Sequence, residues 1–191
     1  ETKRKKIYVD GVSATIIAER VEYLDENGKL ITESLLDFTK KALKKRFASL
    51  DHFLKRWNEA ERKQAIVEEL EVEGLSLDMI AEELGKDLDP FDLICHVAFD
   101  KKPLTRRERA ANVKKRDLFT RYEGRARAVL DALLAKYADE GVLNLDDTNV
   151  LTIRPINELG TRVELIRAFG GREKFVAAVN ELQAALYQET A

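Results

Sequence analysis

Residues 104–141 read LTRRERAANVKKRDLFTRYEGRARAVLDALLAKYADEG, and this stretch decides the fold class. Thr105 is a good N-cap, and Glu108 three residues later completes a capping box. Gly141 closes the run shortly after Lys136 and Tyr137, the place where a helix stops. Between those signals, Ala126, Val129, Leu130, Leu133, Leu134 and Tyr137 recur at helical spacing and form an apolar stripe that must be buried. The front half carries cations instead. From Lys101 to Arg127 there are eleven Lys or Arg against Glu108, Asp117 and Glu123, a local charge of +8 in a chain whose total is −2. The spacing predicts two helices, with a break between Thr120 and Gly124.

Immediately upstream the sign reverses. From Glu59 to Asp92, twelve acids face Arg62, Lys63 and Lys86, a local charge of −9. Halves of this kind either steer oppositely charged partners or neutralise each other by packing together, and both readings stay open. The composition is 45% hydrophobic and 36% charged, with three prolines and nine glycines. Those values exclude a disordered chain and point to an ordered, mostly helical one. A single cysteine, Cys95, forms no internal disulfide. With no signal peptide and no membrane-length apolar run, the expected setting is cytoplasmic, without a membrane partner. The chain starts at Glu1 and reads as a piece of a longer one.

Working outward, residues 6–31 read as strands. Val, Ile, Thr and Tyr alternate there, with turn signals at Asp10-Gly11 and Asn27-Gly28. The expected fold is mainly α, a multi-helix bundle with a short N-terminal β-hairpin. Three parts are predicted: residues 1–31 as a hairpin remnant linking to upstream domains, 32–100 as an acidic helical subdomain, and 101–191 as a helical subdomain with a basic first helix. Thr32, Ser49, Ser76 and Asp89 are the predicted caps of successive helices, with Pro90 at a first helical position. Asp146 or Asp147 is predicted to open a single turn. Thr161 with Glu164 forms a second capping box, and Gly170-Gly171 stops that helix. The last helix carries Phe175, Val179, Leu182 and Leu186 on one stripe.

Most chemistry is excluded by what is missing. Gly28-Lys29 and Gly85-Lys86 lack both the partner glycine and the Ser or Thr of a phosphate-cradling loop. One Cys and two distant His cannot build a structural zinc site. Cys95 and His96 are adjacent, so on a helix they diverge by about 100°; Cys95 reads as a small buried residue. Acid pairs such as Glu68-Glu69 sit on helices crowded with charge and read as solvated faces. The basic block has three readings: contact with nucleic-acid phosphate, docking on an acidic protein, or a solvated, ion-paired face. Arginine supplies seven of its eleven cations, and its planar fork suits phosphate and carboxylate. Phe119 and Tyr122 are its only aromatics and read as core. The candidate binding residues are Arg106, Arg107, Arg109, Lys114, Lys115 and Arg116.

AERVEYLDENGKLITESLLDFTKK, KDLDPFDLICHVAFDKKPLTRRERAANVKKRDLFTRY, RAVLDALLAKYADEG and ELIRAFGGREKF together resemble the C-terminal region of the R (restriction, or motor) subunit of type I restriction–modification enzymes. DPFDLICHVAFD and LTRRERAANVKKR are the most specific of these segments. The resemblance implies a bacterial complex that hydrolyses ATP, translocates DNA and cuts it, with nuclease and motor domains upstream. It implies ATP and Mg for the full-length subunit and no cofactor for this region. It also implies a non-catalytic assembly module that fastens the R subunit to the methyltransferase core of modification and specificity subunits. The alternative is a direct, non-sequence-specific grip on duplex DNA during translocation.

Overall fold

The computed structural model describes residues 4–9, 12–17, 20–85, 87–141 and 148–188. The predicted Asp10-Gly11 turn and the opening roles of Asp146 and Asp147 lie outside those residues. The strand-rich start is larger than the expected hairpin. It is a four-stranded antiparallel meander of β1 (Arg4–Val9), β2 (Val12–Ile17), β3 (Arg20–Leu24) and β4 (Leu30–Ser34), in the order β1-β2-β3-β4. The physical reason is the inner face. Ile7, Ala14, Ile16 and Val21 are all buried, and two strands alone would leave half of that apolar row in water. The register aligns Ile7 with Ala14 and Ile16 with Val21, so the row is continuous across three strands.

The Asn27-Gly28 turn is a five-residue loop, Asp25 to Lys29, closed by the Leu24–Leu30 pair. The Asp25 carboxylate builds it by accepting from the backbone N–H of Asn27 and of Lys29, both at 2.9 Å. Gly28 supplies φ 76°, and a Cβ there would meet nothing within 4 Å. The glycine is needed for its backbone, not for space. Because β4 runs on through Ser34, Thr32 lies in the ladder opposite Glu22 and does not cap a helix. Ser34 takes that role for α1 (Leu35–Arg46), accepting from the Asp37 N–H at 3.1 Å.

Two compact units divide the chain. One comprises Glu1–Ala60 and Ala65–Pro103; the other, Glu61–Gln64 and Leu104–Ala191. The first unit holds the sheet, α1, α2 (Leu50–Glu59), α3 (Lys63–Val72, less its first two residues), α4 (Leu77–Leu84) and α5 (Pro90–Phe99). Its core contains a cluster of rings. Phe53 lies 5.0 Å from Phe47, 5.8 Å from Trp57 and 5.7 Å from Phe91, centroid to centroid. Tyr23 on the inner sheet face meets Phe38 of α1 at 5.6 Å. Ser49 and Asp89 cap α2 and α5 as expected, accepting from the His52 and Phe91 N–H groups. Ser76 precedes α4 but makes no cap bond; its hydroxyl instead accepts from Lys5 Nζ at 3.2 Å.

The second unit holds α6 (Arg106–Lys114), α7 (Asp117–Thr120), α8 (Gly124–Glu140), two 3₁₀ segments (Thr148–Thr152 and Ile156–Leu159), α9 (Arg162–Phe169) and α10 (Arg172–Leu186). The expected single break near 120–124 is joined by a second at Lys115-Arg116. Helical phase explains it. Arg109, Ala110 and Val113 are buried, and an unbroken helix would next turn Asp117 and Thr120 inward. The break rephases the chain so that Leu118 and Phe119 are buried instead. The predicted stripe of α8 is buried from Ala126 to Tyr137, as are Phe175, Val179, Leu182 and Leu186 of α10. Tyr122, Phe169 and Phe175 form a ring chain at 5.7 and 5.2 Å.

Candidate functional site

The basic block is organised by α6. Its capping box is closed at both ends: the Glu108 N–H donates to Thr105 Oγ1 at 3.1 Å, and the Thr105 N–H donates to Glu108 Oε1 at 3.2 Å. Three arginines then crowd the first turn, against the helix's own dipole, which favours anions there. The tertiary structure resolves that conflict. Arg106 points away to the end of α8, where Nε donates to the Ala138 carbonyl at 3.2 Å and Nη2 to the Asp139 carbonyl at 3.3 Å. Arg109 is 6% exposed, and its Nη1 donates to the Leu186 carbonyl at 2.9 Å. Each cation therefore sits at the negative end of another helix, satisfying carbonyls that have no intrahelical partner.

The later arginines find side chains. Arg116 donates to the Gln188 amide oxygen. Arg121 pairs with Glu181, and Arg125 Nη1 lies 3.0 Å from Glu164 Oε2. Arg127 donates to the Phe119 carbonyl, lies over the Phe119 ring at 4.7 Å and faces Asp131 at 3.6 Å. Glu164 is thus drawn to Arg125. Thr161 still accepts from the Glu164 N–H at 3.2 Å, so that bond of the predicted second capping box is formed.

Of the six candidate residues, the structure brings Arg106, Arg109 and Arg116 to partners inside their own unit. Arg107, Lys114 and Lys115 remain exposed, and their side chains make no hydrogen bond or ion pair with the described residues. Arg107 and Lys114 are seven residues apart and share one outward ridge of α6. The helix-end role of Arg106 and Arg109 was missed by sequence reasoning. The available signal was arginine in a first turn, where cation is disfavoured.

Other candidate chemistry resolves into structure. Cys95 is buried, and the His96 Nδ1–H donates to the Lys101 carbonyl at 2.9 Å. His52 is exposed and accepts from the Ala48 N–H. Glu69 near the end of α3 and Glu73 just beyond it both engage Arg46. Among the described residues no group of three or more His, Cys, Asp or Glu is placed to hold a metal. Burial pushes the Lys63 ammonium below its usual range. Tyr23 is raised by burial and by its hydrogen bond to Glu33, and Lys41 by its hydrogen bond to the same carboxylate. Among the described residues no helix is long and apolar enough to cross a membrane.

Comparison with known proteins agrees with this picture. The family model described as EcoEI R protein C-terminal matches residues 33–187. A curated relative, the type I restriction enzyme EcoAI endonuclease subunit of Escherichia coli, is 50% identical over 189 residues, covering 98% of this chain and 23% of its own length. The chain therefore spans about a quarter of that relative. No solved structure matches.

Proposed function

The chain belongs to the EcoEI R protein C-terminal family, the C-terminal domain of a type I restriction enzyme R subunit, and from that premise we propose that it is a non-catalytic assembly module. It attaches the R subunit to the methyltransferase core of modification and specificity subunits. ATP-driven translocation and cleavage, with their ATP and Mg, belong on this reading to the parts of the subunit outside this region. One observation carries the proposal: Arg106 and Arg109 hold the ends of α8 and α10 from within the same unit. That arrangement makes a preorganised helical body, and preorganisation lowers the cost of docking.

The alternative, a grip on duplex DNA by the whole cation block, has less in its favour. Arg109 is buried, and Arg106 and Arg116 already donate to Ala138, Asp139 and Gln188. Calorimetric titration of this chain with purified methyltransferase core, at about 50 and 200 mM salt, tests the proposal. Docking through packed surface predicts binding that changes little over this range, whereas six phosphate contacts would weaken it by about a thousandfold. No binding to the core at either salt concentration sinks the assembly reading.

A further inference from the structure

The sheet of the first unit has one face on the core and one in water. We propose that the outward face docks on a protein surface that carries carboxylates around an apolar centre. Leu24 and Leu30 are its anchor, with Arg4, Lys6 and Arg20 at its rim. The inference rests on the assembly reading, which supplies that partner as the methyltransferase core; it adds the surface by which the chain meets it.

Strand periodicity fixes which side chains share the face. Ile7, Ala14, Ile16 and Val21 are buried against the core, and side chains alternate along a strand. Arg4 and Lys6 of β1, Arg20, Glu22 and Leu24 of β3, and Leu30 of β4 therefore point the other way. A solvated sheet face ordinarily carries polar residues at such positions. Leu24 and Leu30 depart from that pattern together. They stand directly opposite each other in the β3–β4 register, and each is 59% exposed. A cross-strand pair steadies a hairpin, but this one leaves more than half of both side chains in water, apolar area that a partner gains by covering.

The rim gives the partner its charge. Arg4 and Arg20 both register with Ile17, which sets them two strands apart, about 10 Å. Lys6 is two residues along β1 from Arg4. All three are exposed, and their side chains make no hydrogen bond or ion pair with the described residues. Leu24 lies four residues along β3 from Arg20, about 13 Å. An apolar anchor with a charged rim is the anatomy of a protein interface, and cations at the rim are complemented by carboxylates. The phosphates of nucleic acid or of anionic lipid fit this face less well. Glu22 stands within it and Glu26 at its exposed tip, and each repels a layer of phosphate charge.

The test is calorimetric titration of the full 191-residue chain with purified methyltransferase core, at about 50 and 200 mM salt. Leu24→Thr with Leu30→Thr keeps strand propensity and should lower affinity at least about tenfold at both salt concentrations. Charge reversal by Arg4→Glu, Lys6→Glu and Arg20→Glu should lower it about tenfold at the lower salt and less at the higher, where rim charges are screened. Each rim contact is worth little by itself, so the parent stays nearly insensitive to salt. The α6 variant Arg107→Ala, Lys114→Ala, Lys115→Ala should bind like the parent, and every variant should keep the parent's circular-dichroism spectrum. A parent that binds the core while both sheet variants bind it equally well overturns the sheet face and leaves the assembly reading standing. A parent that does not bind the core overturns both. Tighter binding after charge reversal overturns the acidic partner. A parent that sediments by itself as a dimer, made monomeric by the leucine substitutions, overturns the proposal in favour of a second copy of this chain.

Discussion

The two units are held together by different means. In the first, Phe47, Phe53, Trp57 and Phe91 contact one another in tilted and edge-on pairs, geometries that favour ring quadrupoles. The second has a charge of +3, from seventeen cations and fourteen acids; it buries rings too, Phe119, Tyr137, Phe169, Phe175 and Tyr187, but Tyr122, Phe169 and Phe175 form one line of contacts and Tyr137 with Tyr187 another, among aliphatic residues such as Val129, Leu130, Leu133, Leu134, Val179 and Leu182. Its short helices are tied by arginines reaching helix ends and carboxylates. Where packing alone tolerates more than one arrangement, directional arginine bonds select one of them.

This contrast is open to measurement. Phe53 lies against the rings of Phe47, Trp57, Phe91 and Phe99 and is fully buried, so Phe53→Ala should cost about 3–5 kcal/mol. Trp57 is the chain's only tryptophan, and its fluorescence during urea unfolding reports the first unit directly. A cost below about 1 kcal/mol would mean that the aromatic cluster is not what holds that unit. In the second unit, Arg109→Met keeps an apolar stem but leaves the Leu186 carbonyl without that donor. The expected cost is about 1–3 kcal/mol, read from the helical circular-dichroism signal at 222 nm. An unchanged midpoint would show that the helix-end bond is dispensable.

Smaller effects sharpen the same comparison. Thr105→Ala removes the cap of α6 and should cost about 1 kcal/mol, with Thr105→Ser restoring most of it in the same denaturation assay. Arg125→Ala breaks an exposed ion pair and should cost no more than about 1 kcal/mol, a difference that fades in high salt. If it persists there, the pair is doing more than surface electrostatics allows.

Alkaline pH should separate the units by sign. Lys41 is raised by its bond to Glu33, and Tyr23 by burial and the same carboxylate. Their contribution is complete below about pH 10 and is lost as pH climbs through the raised values. Lys63 is lowered by burial, so the unfolded chain holds its proton more tightly. That cost is full below the lowered value and is relieved as pH rises towards about 10.4. Between pH 7 and 11, the stability advantage of the parent over Glu33→Gln should shrink. The balance between the parent and Lys63→Met should move towards the parent.

Periodicity was a good guide wherever a segment's neighbours agreed with it. The buried stripe of α8, the stripe of α10, the caps at Ser49, Asp89 and Thr105, and the buried Cys95 were all legible. Sequence reading failed where a distant group changed a local preference. Thr32 is a sound cap by its own chemistry, but pairing opposite Glu22 keeps β4 extended to Ser34. Ser76 is another, yet Lys5 takes its hydroxyl. Lys115 and Arg116 carry no breaker signal, and the break between α6 and α7 follows from the need to bury Leu118 and Phe119. The candidate residues divide the same way. Charge density singled out six cations equally, but only packing distinguishes Arg109, buried against Leu186, from Arg107, two residues away on the opposite side of the helix and exposed.

By itself, then, the sequence determined the mainly helical class, the strand-rich start and the family. These follow from local spacing, residue type and the order of segments. Only the tertiary structure decided that the strands close into a four-stranded sheet, where the helices break, and which arginines bind helix ends rather than facing solvent. A hydrogen bond such as that from Arg109 to Leu186 joins groups 77 residues apart. Such a bond depends on two helices having packed first, and no local pattern in either one encodes it.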